Sequence, residues 1–208
     1  HVTGVQTCAL PIYRTTPTSP STPDLATASD LGTSSTDNIT TSGTRTFTGT
    51  AEANSTVQLF VDGVASGSTC TATSGNYSCT TASLSAGTKS VTATATDAAG
   101  NISSTSSAIS IVIAALPGSP TSVVSTLTGS ISNSAEVSFT VPGSDGGTPI
   151  TGYTVTATPT SGSAITATGT TSPITIYNLS WATTYTVTVT TQNAIGSSTP
   201  AANGGSVK

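Results

Sequence analysis

The chain has 208 residues, of which 6% are charged, 34% hydrophobic and 4% aromatic, with a formal net charge of -4. Four Lys and Arg residues in all leave no basic stripe to neutralise phosphates, which excludes nucleic acid as a partner and disfavours anionic membrane surfaces. The longest apolar run, residues 109–116 (ISIVIAAL), falls well short of the roughly twenty residues a bilayer span requires.

In chain order, residues 1–12 (HVTGVQTCALPI) resemble the conceptual translation of a sequencing adapter and are set aside from fold reasoning. They hold the sole histidine, His1, and the odd cysteine, Cys8, and their presence implies a fragment of a longer protein. Residues 13–23 form a tether rich in Pro, Thr and Ser without hydrophobic periodicity, expected to be extended and solvated.

Residues 24–113 read as one all-β module. Strands are expected at 45–50, 56–61, 68–73, 76–81, 89–96 and 108–113, with Val57, Leu59, Val61, Val91, Ala93, Ile109 and Ile111 facing inward. Breakers fall at Asp62-Gly63, Ser74-Gly75, Ala86-Gly87 and Gly100-Asn101. Ser and Thr make up roughly two residues in five, far above ordinary usage. They supply the solvated face, for which Thr suits a pleated strand through its branched Cβ. Six or seven strands in an antiparallel sandwich follow.

Cys70 and Cys79 lie symmetrically about Ser74-Gly75. A two-residue hairpin there sets them opposite each other at a non-hydrogen-bonded site, with Cα atoms about 4.5 Å apart, near the lower end of disulfide geometry. A bridge closing so short a loop is worth roughly 2 to 3 kcal/mol in the chain-entropy model and implies an oxidising compartment. Two reduced core cysteines would require a longer turn.

Acidic residues are scarce, so their placement carries information. Asp24, Asp30, Asp37 and Asp97 precede the second strand region or sit in the Asp97–Asn101 turn. Carboxylate and amide oxygens without His or thiolate suit a hard cation such as calcium; the same residues also cap turns through their own side chains. Five Asn-x-Ser/Thr matches, at Asn38, Asn54, Asn76, Asn101 and Asn178, are what so hydroxylated a chain produces by chance and carry no functional weight.

The series SDLGTSSTDNIT, TFTGTAE, VQLFVDG, SGNYS and LSAGTKSVTATATDAAGN within residues 24–113 resembles the bacterial immunoglobulin-like repeat of large surface adhesins and biofilm proteins. The family has a larger aromatic where Tyr77 stands, and the Cys70/Cys79 pair is outside its common pattern. The resemblance implies tandem modules stiffened by calcium at their junctions, carried over here to Asp30, Asp37, Asp97 and Asn101.

Residues 114–120 (AALPGSP) form a short linker whose two prolines limit hinge freedom. Residues 118–208 resemble a fibronectin type III domain. SDGGTPITGYTV (residues 144–155) is similar to that family's turn into its third strand, with Tyr153 as core aromatic. Leu179, Tyr185 and the TVTVTTQNAIGSS that follows are similar to its E–F corner and sixth strand. The resemblance gives Tyr185 a tyrosine-corner role, its buried phenol seeking a backbone acceptor. Phe139 stands where Trp is common, and no Arg-Gly-Asp occurs. Trp181 is expected to be partly buried over the sheet end instead of serving as a sugar platform, since carbohydrate-binding faces use several coplanar aromatics.

No constellation reaches a catalytic site. The two glutamates, Glu52 and Glu136, lie in separate modules, and no phosphate loop, Ser-His pair or His/Cys metal set is present. The whole reads as a non-catalytic extracellular or cell-surface spacer of a bacterial adhesin or biofilm matrix protein. It requires no cofactor beyond possible calcium, and its partners would be neighbouring domains of a longer chain, with any protein or glycan ligand bound by distal domains. The alternatives are accessory domains of a secreted polysaccharide hydrolase, or a protein-binding module using the loops 144–149 or 193–198.

Overall fold

A computed structural model describes residues 15–128 and 133–207, with side chains to residue 202. The adapter-like residues 1–12 lie outside the described residues. The fold is all-β. The strands are β1 (Asp24–Leu25), β2 (Ile39–Thr41), β3 (Thr46–Thr50), β4 (Thr56–Val61), β5 (Val64–Ala65), β6 (Cys70–Thr71), β7 (Asn76–Thr80), β8 (Gly87–Thr96), β9 (Ile109–Ala114), β10 (Thr121–Leu127), β11 (Ala135–Thr140), β12 (Gly152–Pro159), β13 (Ile165–Gly169), β14 (Ile174–Ile176), β15 (Tyr185–Gln192) and β16 (Ala201–Val207).

The chain divides into two compact units. One comprises residues as far as Ser29 with Gly43–Leu84 and Thr88–Ile111; the other comprises Asp30–Ser42, Ser85–Gly87 and Val112 onward. The strands before residue 115 form two sheets, ordered β1-β3-β7 and β2-β9-β8-β4-β5, with β6 also paired to β4. Alternation does the folding. Val91, Ala93 and Ala95 are buried on β8 while the threonines between them are half-buried on the other face, as a side-chain period of two demands. Phe47, Val57, Leu59, Tyr77, Ile111 and Ile113 complete this interior. Val61 and Ile109, expected inside, are only half-buried, because each lies at the end of its strand where the facing sheet no longer covers it.

Three strands escaped the periodicity reading: β1, β2 and β5, each two or three residues long. The expected strand 68–73 shrinks to β6. Short strands hold too few residues to display an alternation. β2 pairs with β9 in parallel, Ile39 opposite Val112 and Thr41 opposite Ala114, whereas the antiparallel expectation holds for the other pairings described.

The second sandwich has sheets ordered β10-β11-β14 and β13-β12-β15-β16. Val137, Val155, Ala157, Ile176, Val187 and Val189 fill its core at 1% exposure or less. Phe139 and Tyr153 pack as a tilted aromatic pair, centroids 4.7 Å apart, so Phe139 fills a core position without needing a donor partner.

Candidate functional site

The predicted disulfide is present, Cys70 to Cys79, with Cα atoms 5.4 Å apart. Its setting differs from the flat ladder expected. The Ser74-Gly75 turn is a two-residue hairpin with both residues at positive φ, 50° and 84°, closed by the Thr73–Asn76 bridge, which is the twist-matched turn for antiparallel arms. Beyond that bridge the arms part. Cys70 pairs with Val57 in one sheet and Cys79 with Phe47 in the other, so the bond staples the two sheets together. The wider Cα separation follows from that divergence.

The acidic residues serve turns. Asp97 Oδ1 accepts from the backbone N–H groups of Ala99 and Asn101, both at 2.9 Å, and Oδ2 accepts from Asn101 Nδ2 at 2.8 Å. The Asn101 side-chain amide above all, then the turn amides, hold its carboxyl below the usual carboxylate range. Asp30, buried, accepts from the Asn38 N–H at 3.2 Å, and Asp37 accepts from the Ile39 N–H at 3.0 Å. Those two bonds fix the turn whose Asn38 has φ 60° and deliver the chain into β2. Asp97 and Asn101 belong to the first unit, Asp30 and Asp37 to the second. Among the described residues no group of three or more His, Cys, Asp or Glu is placed to hold a metal ion.

A groove of about 960 Å³ on the first unit is lined by hydroxyls, among them Ser21, Thr48, Thr50 and Ser78, with Asp24 the one carboxylate. Its titratable side chains are the Asp24 carboxylate and the Tyr77 phenol. Tyr77 lies beneath it, 3% exposed, and a Cβ at Gly49 would stand 2.5 Å from the Tyr77 Oη. This explains the glycine in the TFTGT strand: the phenol ring occupies the space of the missing side chain. Its Oη lacks a hydrogen bond of good geometry, with the Ser21 hydroxyl beside it, and burial pushes its pKa up to about 12.

The most organised polar site lies in the second unit, on the two loops singled out as candidate binding loops. Asn193 is 2% exposed. Its Nδ2 donates to the carbonyls of Ala115 at 2.8 Å and Asp145 at 2.7 Å, and its Oδ1 accepts from the N–H groups of Ile195 at 2.9 Å and Gly196 at 3.1 Å. All four hydrogen-bonding positions of the amide are used. The linker adds two backbone bonds, Ala115 N–H to Gly146 at 2.7 Å and Gly118 N–H to Ser144 at 2.9 Å. Gly146 has φ +78°, and a Cβ there would collide with the carbonyls of Ala115 and Leu116. The SDGG turn is thus shaped to receive the linker, and the loops 144–149 and 193–198 clamp the chain's own entry strand. Thr33 also donates to the Ala194 carbonyl, through its N–H and its Oγ1, both at 2.9 Å.

At the E–F corner Tyr185 is buried, and its phenol oxygen accepts from the Ser180 N–H at 2.9 Å. The corner forms as expected but with the phenol as acceptor. Trp181, expected to be partly buried, is 66% exposed, as is Tyr177 at 61%. Ala182, the residue after Trp181, has φ 57°.

The fold defines a tandem of two β-sandwich modules. Residues 16–114 match the family model of the bacterial Ig-like domain, and residues 118–204 that of the fibronectin type III domain. The chain therefore carries a bacterial Ig-like domain followed by a fibronectin type III domain. No curated protein matches it. A crystal structure of consecutive titin domains aligns over 90% of this chain and 65% of that one, with a TM-score of 0.62 and 17% identity, a likeness of fold. This chain thus spans less than two thirds of that structure. Titin kinase with its flanking domains (TM-score 0.40, 26% identity) and the twitchin kinase region of C. elegans (0.38, 22%) each align over 45% of this chain and only 17% and 16% of theirs. No helix among the described residues is long and apolar enough to cross a membrane.

Proposed function

We propose that the chain is a non-catalytic spacer segment of a bacterial extracellular or cell-surface protein, an adhesin or biofilm matrix component, whose task is to transmit load and hold a distal functional domain at a distance. The observation that carries this reading is the parallel β2–β9 pair, with Val112 N–H bonded to Asn38 at 2.9 Å. β2 enters near the start of the Ig-like domain and β9 is its last strand, so tension applied through the chain on either side runs along the two strands. Their hydrogen bonds are then sheared together instead of being opened one after another. The inter-sheet disulfide and the Asn193 clamp support the same mechanical role. The matched families are typically structural modules.

Single-molecule pulling tests this. The Ig-like domain is expected to unfold at high force in one step, and Val112→Pro, which removes one donor from the sheared pair, to lower that force without changing the length released. Low-force unfolding of the unaltered chain would overturn the load-bearing reading. A glycoside hydrolase domain in the same reading frame would replace the adhesin assignment with an accessory role in a secreted enzyme.

A further inference from the structure

The outward face of the β13-β12-β15 sheet is a grid of one residue type. The register places Thr168, Thr154 and Thr190 in one row and Thr166, Thr156 and Thr188 in the next, with Thr158 opposite Thr186 beyond them. Each is exposed or half-buried. Gln192 Nε2 donates to Thr154 at 3.3 Å, and the other seven hydroxyls make no side-chain hydrogen bond within the described residues.

Among the described residues nothing charged lies on this face. The domain's ionisable residues of the Asp, Glu, Lys and Arg types are Glu136, Asp145 and Lys208; Glu136 lies on β11 in the other sheet and Asp145 in the linker clamp. The flanking positions include Gly152 and Ala202, which carry no long side chain, and Gln192 opposite Gly152, which bounds the grid at one end with its amide on Thr154.

Strand geometry fixes the spacing at about 4.8 Å across strands and about 6.7 Å along them. Neighbouring strands rotate by about 20 to 25°, so the six threonines of the two central rows, each row crossing three strands, form a twisted patch. Each threonine presents a methyl beside a hydroxyl, held in few rotamers by its branched Cβ. A ligand for such a surface is uncharged, accepts and donates hydrogen bonds at every point, and repeats in two dimensions. Flexible polysaccharides lack that second period, and their crystalline faces call for aromatic platforms that this sheet does not have.

We propose that this threonine grid is an ice-binding face, matching ordered water on a prism plane of hexagonal ice. The rows of hydroxyls stand in for lattice oxygens, while the methyl groups organise the water between them.

The test uses the intact chain. It is expected to partition into a slowly growing ice hemisphere and to slow recrystallisation of polycrystalline ice. Thr156→Lys, at the centre of the grid, abolishes both effects, whereas Thr175→Lys on β14 of the opposite sheet leaves them unchanged, with circular dichroism showing both variants folded. Exclusion of the unaltered chain from ice would overturn the proposal, as would equal loss in the two variants. Concentration-dependent pairing of the chain that Thr156→Lys removes, without any effect on ice, would assign the face to a second copy and overturn it equally.

Discussion

Replacing Asn193 by Asp changes one atom's chemistry at almost constant volume, so its effect isolates the linker clamp. The side chain is 2% exposed, and its Nδ2 donates to two carbonyls, at 2.8 and 2.7 Å. A carboxylate keeps the two bonds accepted from Ile195 and Gly196 but turns an oxygen toward the carbonyls of Ala115 and Asp145. Two net hydrogen bonds are lost, about 0.5 to 1.5 kcal/mol each, while the carbonyls of Ala115 and Asp145, on exposed residues, turn to water. The total, about 1 to 3 kcal/mol at neutral pH, is a sizeable part of the stability of a small domain. Burial and the facing carbonyls also raise the introduced carboxyl's pKa in the folded state. The protonated form can donate to one carbonyl, so the variant's stability is fullest below the unfolded carboxyl value of about 3.9 and is lost as pH rises through the folded value. Urea denaturation followed by circular dichroism at a series of pH values measures both effects. Hydrogen exchange reads the clamp itself, through the Ala115 and Gly118 amides bonded to Gly146 and Ser144. A variant within about 0.5 kcal/mol of the parent, the ordinary range for an uninvolved surface site, with unchanged exchange at those amides, would refute the reasoning.

The inter-sheet bond should contribute about 2 to 3 kcal/mol by closing its short loop, so reduction or the Cys70→Ser, Cys79→Ser pair lowers the melting temperature of the Ig-like domain; alkylation without reductant should add no mass at either cysteine. Asp97, its carboxyl held low by Asn101 and the turn amides, contributes stability that is present above its unfolded value of about 3.9 and lost as pH falls through the lower folded one. Asp97→Ala therefore flattens part of the acid limb of a melting-temperature profile, leaving the share of Asp62, which the Ser90 N–H holds low in the same way. Its effect at neutral pH should be equal in excess calcium and in chelator if turn capping is its whole role; a calcium-dependent difference would support the cation expected at Asp97 and Asn101. Tyr77, raised to about 12, makes folding less favourable as pH rises from its unfolded value of about 10 through the folded one. Tyr77→Phe should remove that alkaline loss while leaving stability at pH 7 nearly unchanged, because the hydroxyl lacks a well-formed bond.

The strands that could be placed from sequence are those long enough to show a period. β8 and β15, ten and eight residues, alternate so regularly that their buried faces follow from the pleat alone. β2, three residues long, carries no such signal. Its place is set by Asp30 and Asp37 fixing the preceding turn and by a partner, β9, about seventy residues away, which local pattern cannot report. The pairing of Cys70 with Cys79 followed from symmetry about a turn, but the sheet each cysteine joins did not. That depends on where the arms stop bonding to each other, a property of Val57 and Phe47 on two other strands. Trp181 was misjudged because apolar character argues for burial on average, an average that does not decide this particular side chain, 66% exposed.

The same contrast explains why the carboxylates and the clamp read so differently in advance. Asp97 and Asn101 are four residues apart and their bonds are local, so turn capping was a legible alternative to a cation. Asn193 joins Ala115 and Asp145 across 78 and 48 residues of sequence, and an asparagine at the end of a strand gives no hint of such reach. What sequence did offer was the glycine pair after Asp145. A positive φ at Gly146 and the absence of a Cβ make room for two passing carbonyls, and the chain that passes there is the linker itself. The conspicuous glycines therefore mark where the linker is held against the loops of its own unit.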